Sequence, residues 1–175
     1  MRPMKTGALR GALITRAGAV LGVMLATQAC LGMMEDDFPE EPSVYEVAFA
    51  ARFNVDLSEM VERPSGLWYR DDMEGEGLKA DYGHDVMLAY HGYLYDGTHF
   101  ESSPEEEPFE FTLGAAGIMA GFQEGVLGMS PGGQRLALIP PSLAFGRQGS
   151  ADGRVPPNTW MVFELHVLSI EGVVF

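Results

Sequence analysis

The stretch from Leu113 to Phe145 constrains this chain more than any other. Met119, Phe122 and Val126 stand at i, i+3 and i+7, which predicts a short helix with one apolar face. Gly121, Gly125 and Gly128 punctuate it, and each glycine costs about 1 kcal/mol against alanine. A helix so weakened must lie against something that holds it. Ser130-Pro131-Gly132-Gly133 then makes a turn, and Arg135 to Ile139 reads as a strand. Pro140-Pro141 ends that strand, because proline brings no N–H to a ladder.

Period-2 patterns surround this unit. Leu67 to Arg70 reads as a short strand after the Ser65-Gly66 turn. Val86, Leu88 and Tyr90 alternate with Met87, Ala89 and His91, as in a half-buried strand. Tyr95-Asp96-Gly97-Thr98 carries an Asp-Gly turn signal. Phe109, Phe111 and Leu113 alternate again, beyond the acidic run Glu105-Glu106-Glu107, which reads as solvated surface. From Thr159 to Ser169, Met161, Phe163, Leu165 and Val167 share one face, and Glu164 and His166 share the other. Many short strands with one short helix predict an α+β domain, an antiparallel sheet with a helix laid on it.

Charge narrows the partners. All 25 acidic residues follow Cys30 but only seven of the 11 basic ones do, so that part carries −18. A phosphate backbone is repelled by such a surface, which excludes nucleic acid. With one cysteine there is no internal disulfide. His84, His91, His99 and His166 lack ligand spacing and cysteine partners, so they read as solvent-facing residues and no metal is expected.

The N-terminal third is organised differently. Arg2, Lys5, Arg10 and Arg16 precede the uncharged run Ala17 to Ala29, which is shorter than the ~20 residues a spanning helix needs. A charged start, a short apolar centre and small residues before position 30 predict a secretory signal peptide over residues 1–29. Cys30 follows directly, and the junction resembles the lipobox of bacterial lipoproteins, in which the cysteine receives a diacylglycerol. Thr27 stands where that pattern prefers leucine, and cleavage after Ala29 by the ordinary signal peptidase is the competing fate. Residues 30–42 hold Glu35, Asp36, Asp37, Glu40 and Glu41, and read as a flexible acidic linker. Residues 43–64 form a short extension in which Val44, Val47, Ala48 and Ala51 have helical spacing. Ser43 and Glu46 there suggest a capping box, Asn54 a break, and Leu57 to Val61 a second stub. Such an extension either packs on the domain or mediates dimerisation.

The order of the pieces, a helical turn, a glycine turn and a strand ending in Pro-Pro-Ser-Leu-Ala-Phe-Gly, resembles the FKBP-type peptidyl-prolyl isomerases. The likeness runs from about Gly66 to Leu168. It implies a twisted antiparallel β-sheet wrapped on one short α-helix over residues 65–170, followed by a tail over 171–175. It also implies a pocket. Tyr90 in Leu-Ala-Tyr-His-Gly falls on the pocket tyrosine, Phe100 on a wall phenylalanine and Glu101 on an aspartate. Phe109 falls on a wall position, with Phe111 reading as core, and Phe122 on the pocket floor. Ile118 and Met119 fall on the pair whose backbone receives the peptide, the Met119 N–H donating to a substrate carbonyl. Phe145 falls on the loop tyrosine, Val155 on a wall aliphatic and Phe163 on the inner phenylalanine.

The implied reaction is rotation about X-Pro bonds, which uses no cofactor. The implied partners are proline-containing unfolded or nascent exported proteins, in a bacterial cell envelope and periplasm, with lipid at Cys30 holding the chain to a membrane. The alternative is a non-catalytic module that binds proline-containing segments. Three positions depart from the family pattern: Glu101 is one methylene longer than aspartate, Phe122 replaces tryptophan, and Phe145 lacks the tyrosine hydroxyl.

Overall fold

The computed structural model describes residues 40–172. The signal peptide expected over 1–29, Cys30, most of the linker and residues 173–175 lie outside the described residues. The elements in chain order are β1 (Val61–Glu62), β2 (Trp68–Met73), β3 (Asp85–Leu94), β4 (His99–Ser103), β5 (Phe109–Thr112), α1 (Ala120–Val126), β6 (Gln134–Ile139) and β7 (Met161–Glu171). The strands form one antiparallel sheet in the order β1-β2-β6-β7-β3-β4, with β5 also paired to β3.

β3 and β7 are the spine, paired from Asp85 opposite Glu171 to Leu94 opposite Met161. On its other edge β3 is shared. β4 takes Tyr90 to Tyr93, and β5 takes Asp85 to Leu88. The Pro104–Pro108 loop separates the two, and prolines at both its ends cannot donate to the ladder.

The predicted helix exists, and the sheet holds it. Its glycines are where the two surfaces meet. A Cβ on Gly121 would lie 2.2 Å from Ile139 Cγ2, and one on Gly125 would lie 3.3 Å from Leu165 Cδ1. The helical propensity lost at these positions is exchanged for close approach to β6 and β7. The C-terminal end of α1 is held by arginines. Arg135 Nη1 donates to the carbonyls of Gly125 (2.9 Å) and Leu127 (3.0 Å), and Arg63 Nη2 also donates to Leu127 O (3.0 Å). Positive charge there satisfies carbonyls that a helix end leaves without partners. The Arg135 side chain is only 4% exposed, and Asp71 binds it from β2 at 2.6 Å.

The sheet buries both faces. Against α1, the inner face packs Leu88, Tyr90, Phe111, Phe122, Val126, Ile139, Phe163 and Val167 into one core. On the outer face, Trp68, Tyr93, Leu138, Trp160 and Val162 form a second core with Val44, Phe53 and Met60 of the extension. The extension is not an α-helix. It is three 3-10 turns, Val44–Glu46, Ala51–Phe53 and Leu57–Glu59, linked by extended residues. The Ser43/Glu46 capping box is present, and Asn54 stops the second turn in the left-handed conformation at φ 45°. Ala50 N–H donates to Tyr95 O (2.8 Å), and Trp160 Nε1 donates to Pro42 O (2.7 Å). Chain laid nearly straight across strands buries side chains at wide, irregular intervals, which no helical period describes. Val61–Glu62 pairs with Trp68 and Tyr69, so the sheet begins inside the stretch read as extension.

Candidate active site

The site begins with an irregularity in β4. Gly92 faces Glu101 and Tyr93 faces His99, so Phe100 is one residue extra on that strand. A bulge of this kind re-aims side chains, and here two neighbours turn to the inner face. The Phe100 ring meets Phe163 edge to face at 5.7 Å, and the charge of Glu101 acts on the Tyr90 hydroxyl. Gly92 leaves the space for this. A Cβ there would lie 2.7 Å from Phe100 Cζ and 3.0 Å from Phe163 Cε1.

The rings converge from separate segments. Tyr90 of β3 lies 5.1 Å from Phe122, 6.0 Å from Phe163 and 6.1 Å from Phe109, by ring centroids. Phe122 and Phe163 are 5.3 Å apart, both buried, and form the floor. Phe100 and Phe109 are half-buried and form the rim. Ile118, Met119 and buried Val155 pack in the same cluster. Phe111 stacks on Phe109 at 5.4 Å and touches Phe122, so it underlies the rim. Phe145 stands apart. It is 41% exposed, at the start of the 3-10 turn Gly146–Gln148, and makes no ring pair with the others.

Burial and a neighbouring carboxylate keep Tyr90 protonated. Burial first, then the charge of Glu101 and its hydrogen bond, push the Tyr90 hydroxyl from 10.0 up to about 12. Tyr90 therefore stays protonated, with the longer Glu101 side chain still close enough to act on its hydroxyl. Across the rim, Arg154 Nη1 donates to Phe100 O at 2.9 Å and its Nε donates to Asp152. Hydrogen bonds from Ser150, then from Arg154, hold the Asp152 carboxyl well below the usual carboxylate range. Ser150 also closes its own loop, accepting from Val155 N–H at 2.8 Å. Arg154 thus ties the loop that carries Val155 to the strand that carries Phe100.

Sequence reasoning missed Gly92, Arg154 and Gln123, which organises the loop before α1. The glycine inside an otherwise apolar strand was the one local signal available. Among the described residues, no group of three or more His, Cys, Asp or Glu is placed to hold a metal ion. His166 Nδ1 instead meets Glu105 at 2.9 Å on the outer face. Two grooves of about 530 Å³ each lie away from the floor rings Phe122 and Phe163. One crosses the outer face between Asp72 and Glu106, and the other lies between the extension and residues 156–160.

Apolar rings gather here around one protonated tyrosine, with Glu101 the carboxylate beside it. Comparison with known proteins gives this arrangement a family. Residues 77–168 match the family model of the FKBP-type peptidyl-prolyl cis-trans isomerases. The FK506-binding protein of Neisseria meningitidis serogroup B is 37% identical over 106 residues, covering 60% of this chain and 96% of that protein. The Arabidopsis thaliana peptidyl-prolyl cis-trans isomerase FKBP53 is 36% identical over 111 residues, and the match spans 62% of this chain but 23% of that protein. The crystal structure of FkpA from Escherichia coli superposes with a TM-score of 0.60 at 30% identity, covering 69% of this chain and 55% of that one. The chain belongs to the FKBP-type peptidyl-prolyl cis-trans isomerase family, and its reaction class is rotation about X-Pro peptide bonds.

Proposed function

We propose that the chain isomerises X-Pro bonds of exported proteins in a bacterial cell envelope. The observation that carries the catalytic part is the cage, where Tyr90, Phe100, Phe109, Phe122 and Phe163 meet at centroid distances between 5.1 and 6.1 Å. Uncatalysed rotation faces a barrier of about 18–20 kcal/mol. For X-Pro bonds, exchange takes tens to hundreds of seconds. Twisting the bond removes amide resonance, so carbonyl and nitrogen become less charge-separated than in the planar amide. A dry cage disfavours the planar form more than the twisted one, which is binding that differs between ground and transition state.

In this reading Phe122 and Phe163 take the proline ring from below, and Phe100, Phe109 and Val155 enclose it. The Met119 N–H donates to a carbonyl of the bound peptide. Tyr90 keeps its proton beside the Glu101 carboxylate, so its hydroxyl remains a donor. Phe122 and Phe145 make the enzyme modest. A missing hydroxyl at position 145 forgoes one hydrogen bond, worth about 0.5–1.5 kcal/mol.

Export and anchoring rest on sequence. The basic start, the apolar run and Cys30 support a leader, and a diacylglycerol at Cys30 gives attachment without a spanning helix. Mass spectrometry of the exported form tests this, since an unmodified chain beginning at Cys30 would exclude the lipid. For catalysis the test is a protease-coupled assay on a short proline peptide. Acceleration that disappears in Phe163→Ala supports an isomerase. Peptide affinity without acceleration would leave only a binding module.

A further inference from the structure

The loop from Gly114 to Met119 joins β5 to α1, and one side chain holds both its ends. Gln123 Oε1 accepts from the Gly114 N–H at 2.5 Å. Its Nε2 donates to the carbonyls of Ala115 at 3.2 Å and Ile118 at 3.0 Å. A carboxamide supplies one acceptor and two donors at once, whereas a carboxylate supplies no donor and a thioether barely an acceptor. Otherwise the loop is held by Ala115 N–H on Thr112 O at 3.0 Å and by the packing of Ile118 and Met119. Gly114 and Gly117 take φ of 97° and 88°, and Met119 caps the helix without a side-chain hydrogen bond.

The consequence lies in the next peptide unit. Ile118 C=O and Met119 N–H belong to one plane and, in a trans peptide, point in opposite directions. Holding the carbonyl on Gln123 therefore turns the N–H away from that side chain. The Met119 carbonyl is engaged by Gln123 N–H at 3.1 Å, so the residue is fixed from both sides. Its own N–H forms no hydrogen bond within the described residues and is left to donate outward.

We propose that Gln123 is a positioning residue of the isomerase. Through the Ile118–Met119 peptide plane it aims the backbone donor that meets the substrate. The inference rests on the reading of Met119 as that donor. Gln123 itself touches neither the rings nor the proline.

Two variants test it in the full chain. Gln123→Met keeps the length and loses all three bonds; Gln123→Glu keeps an acceptor and loses both donors. Steady-state kinetics on a proline peptide is measured with the Met119 amide resonance in heteronuclear NMR spectra. A donor that binds ground and transition states alike acts on KM rather than on kcat. The expected result is a KM raised up to about tenfold in both variants, with kcat held within about twofold and the Met119 resonance displaced. A merely structural role would lower kcat with the folded fraction and leave KM in place. KM unchanged in both variants, whatever kcat does, overturns the proposal. If Gln123→Met does not fold, Gln123→Glu carries the same comparison. An inactive parent chain would instead overturn the isomerase reading, which no change in the variants alone does.

Discussion

Gly92→Ala puts one methyl group into the space that separates two pocket rings. The new Cβ would lie 2.7 Å from Phe100 Cζ and 3.0 Å from Phe163 Cε1. Carbon atoms rest at roughly 3.5–4.0 Å, so one ring must retreat by about 1 Å. Phe163 is 2% exposed and wedged against Tyr90, Phe100 and Phe122. It has nowhere to go. Phe100 is half-buried on the edge strand and moves instead, out from the rim or across the cage mouth. Overpacking of this kind costs about 1–3 kcal/mol. Misplacing a positioning group by about 1 Å can cost as much as 100-fold in rate. The expected outcome is kcat/KM on a proline peptide lower by roughly 10- to 100-fold, with Tm lower by several degrees. Shortening the ring should separate the two effects. Phe100→Leu in the Gly92→Ala background is expected to recover most of the lost stability and little of the activity, a coupling read from a double-mutant cycle. Activity within about twofold of the parent in Gly92→Ala would refute the reasoning, as would a double variant no more stable than the single one.

Three further outcomes follow. Phe53→Ala removes a ring that is 3% exposed between the extension and the sheet; a loss of about 3–5 kcal/mol in urea denaturation means the extension folds with the domain, and a smaller loss measures how weakly it docks. Phe145→Tyr restores a hydroxyl on the half-open loop and should raise kcat/KM several-fold, since one hydrogen bond contributes about 0.5–1.5 kcal/mol; an unchanged or lower value counts against that role. Because the folded state holds Tyr90 protonated up to about 12 against 10.0 ordinarily, stability is fully present below pH 10 and falls as pH rises through that window. Tyr90→Phe should flatten this fall in urea midpoints measured against pH, and an identical slope in both proteins would remove Tyr90 as its source.

What was legible in the sequence was whatever repeats locally. β3, β5 and β7 alternate with period 2, β6 is framed by a glycine turn and Pro140-Pro141, and α1 shows its apolar face at i, i+3 and i+7. The extension misled because Val44, Val47, Ala48 and Ala51 mimic a helical stripe while the residues that anchor it are Val44, Phe53 and Met60. What buries them is the outer face of a sheet whose strands come later in the chain. β1 is two residues long and carries no pattern at all. Arg135 and Asp71 are 64 residues apart, so nothing local announces their pair. Five of the six aromatics assigned to one pocket from the family likeness do converge, while Phe145 stays outside the ring cluster. Gln123 was invisible for another reason. A glutamine on a short helix signals nothing until the loop it closes is folded.

The cage is made by leaving volume out as much as by putting rings in. Across the sheet, Ala137 of β6, Phe163 of β7, Gly92 of β3 and Glu101 of β4 are successive cross-strand partners. Phe163 therefore has the smallest side chains in the row on either side of it. Cross-strand neighbours stand about 4.5–5.5 Å apart, so a large residue at 92 or 137 would fill the hollow from the sheet. The helix obeys the same rule, with Gly121 and Gly125 facing Ile139 and Leu165. Bringing α1 that close sets the Phe122 ring at 5.3 Å from Phe163. An ordinary core would fill such gaps, since interiors pack to the density of organic crystals. Here small residues stand at Gly92, Ala137, Gly121 and Gly125, while the residues on the other face, Val162, Leu138 and Tyr93, are covered by the extension. The sheet is thus braced on its outer face by the extension, and on its inner face small residues let α1 and the rings pack close.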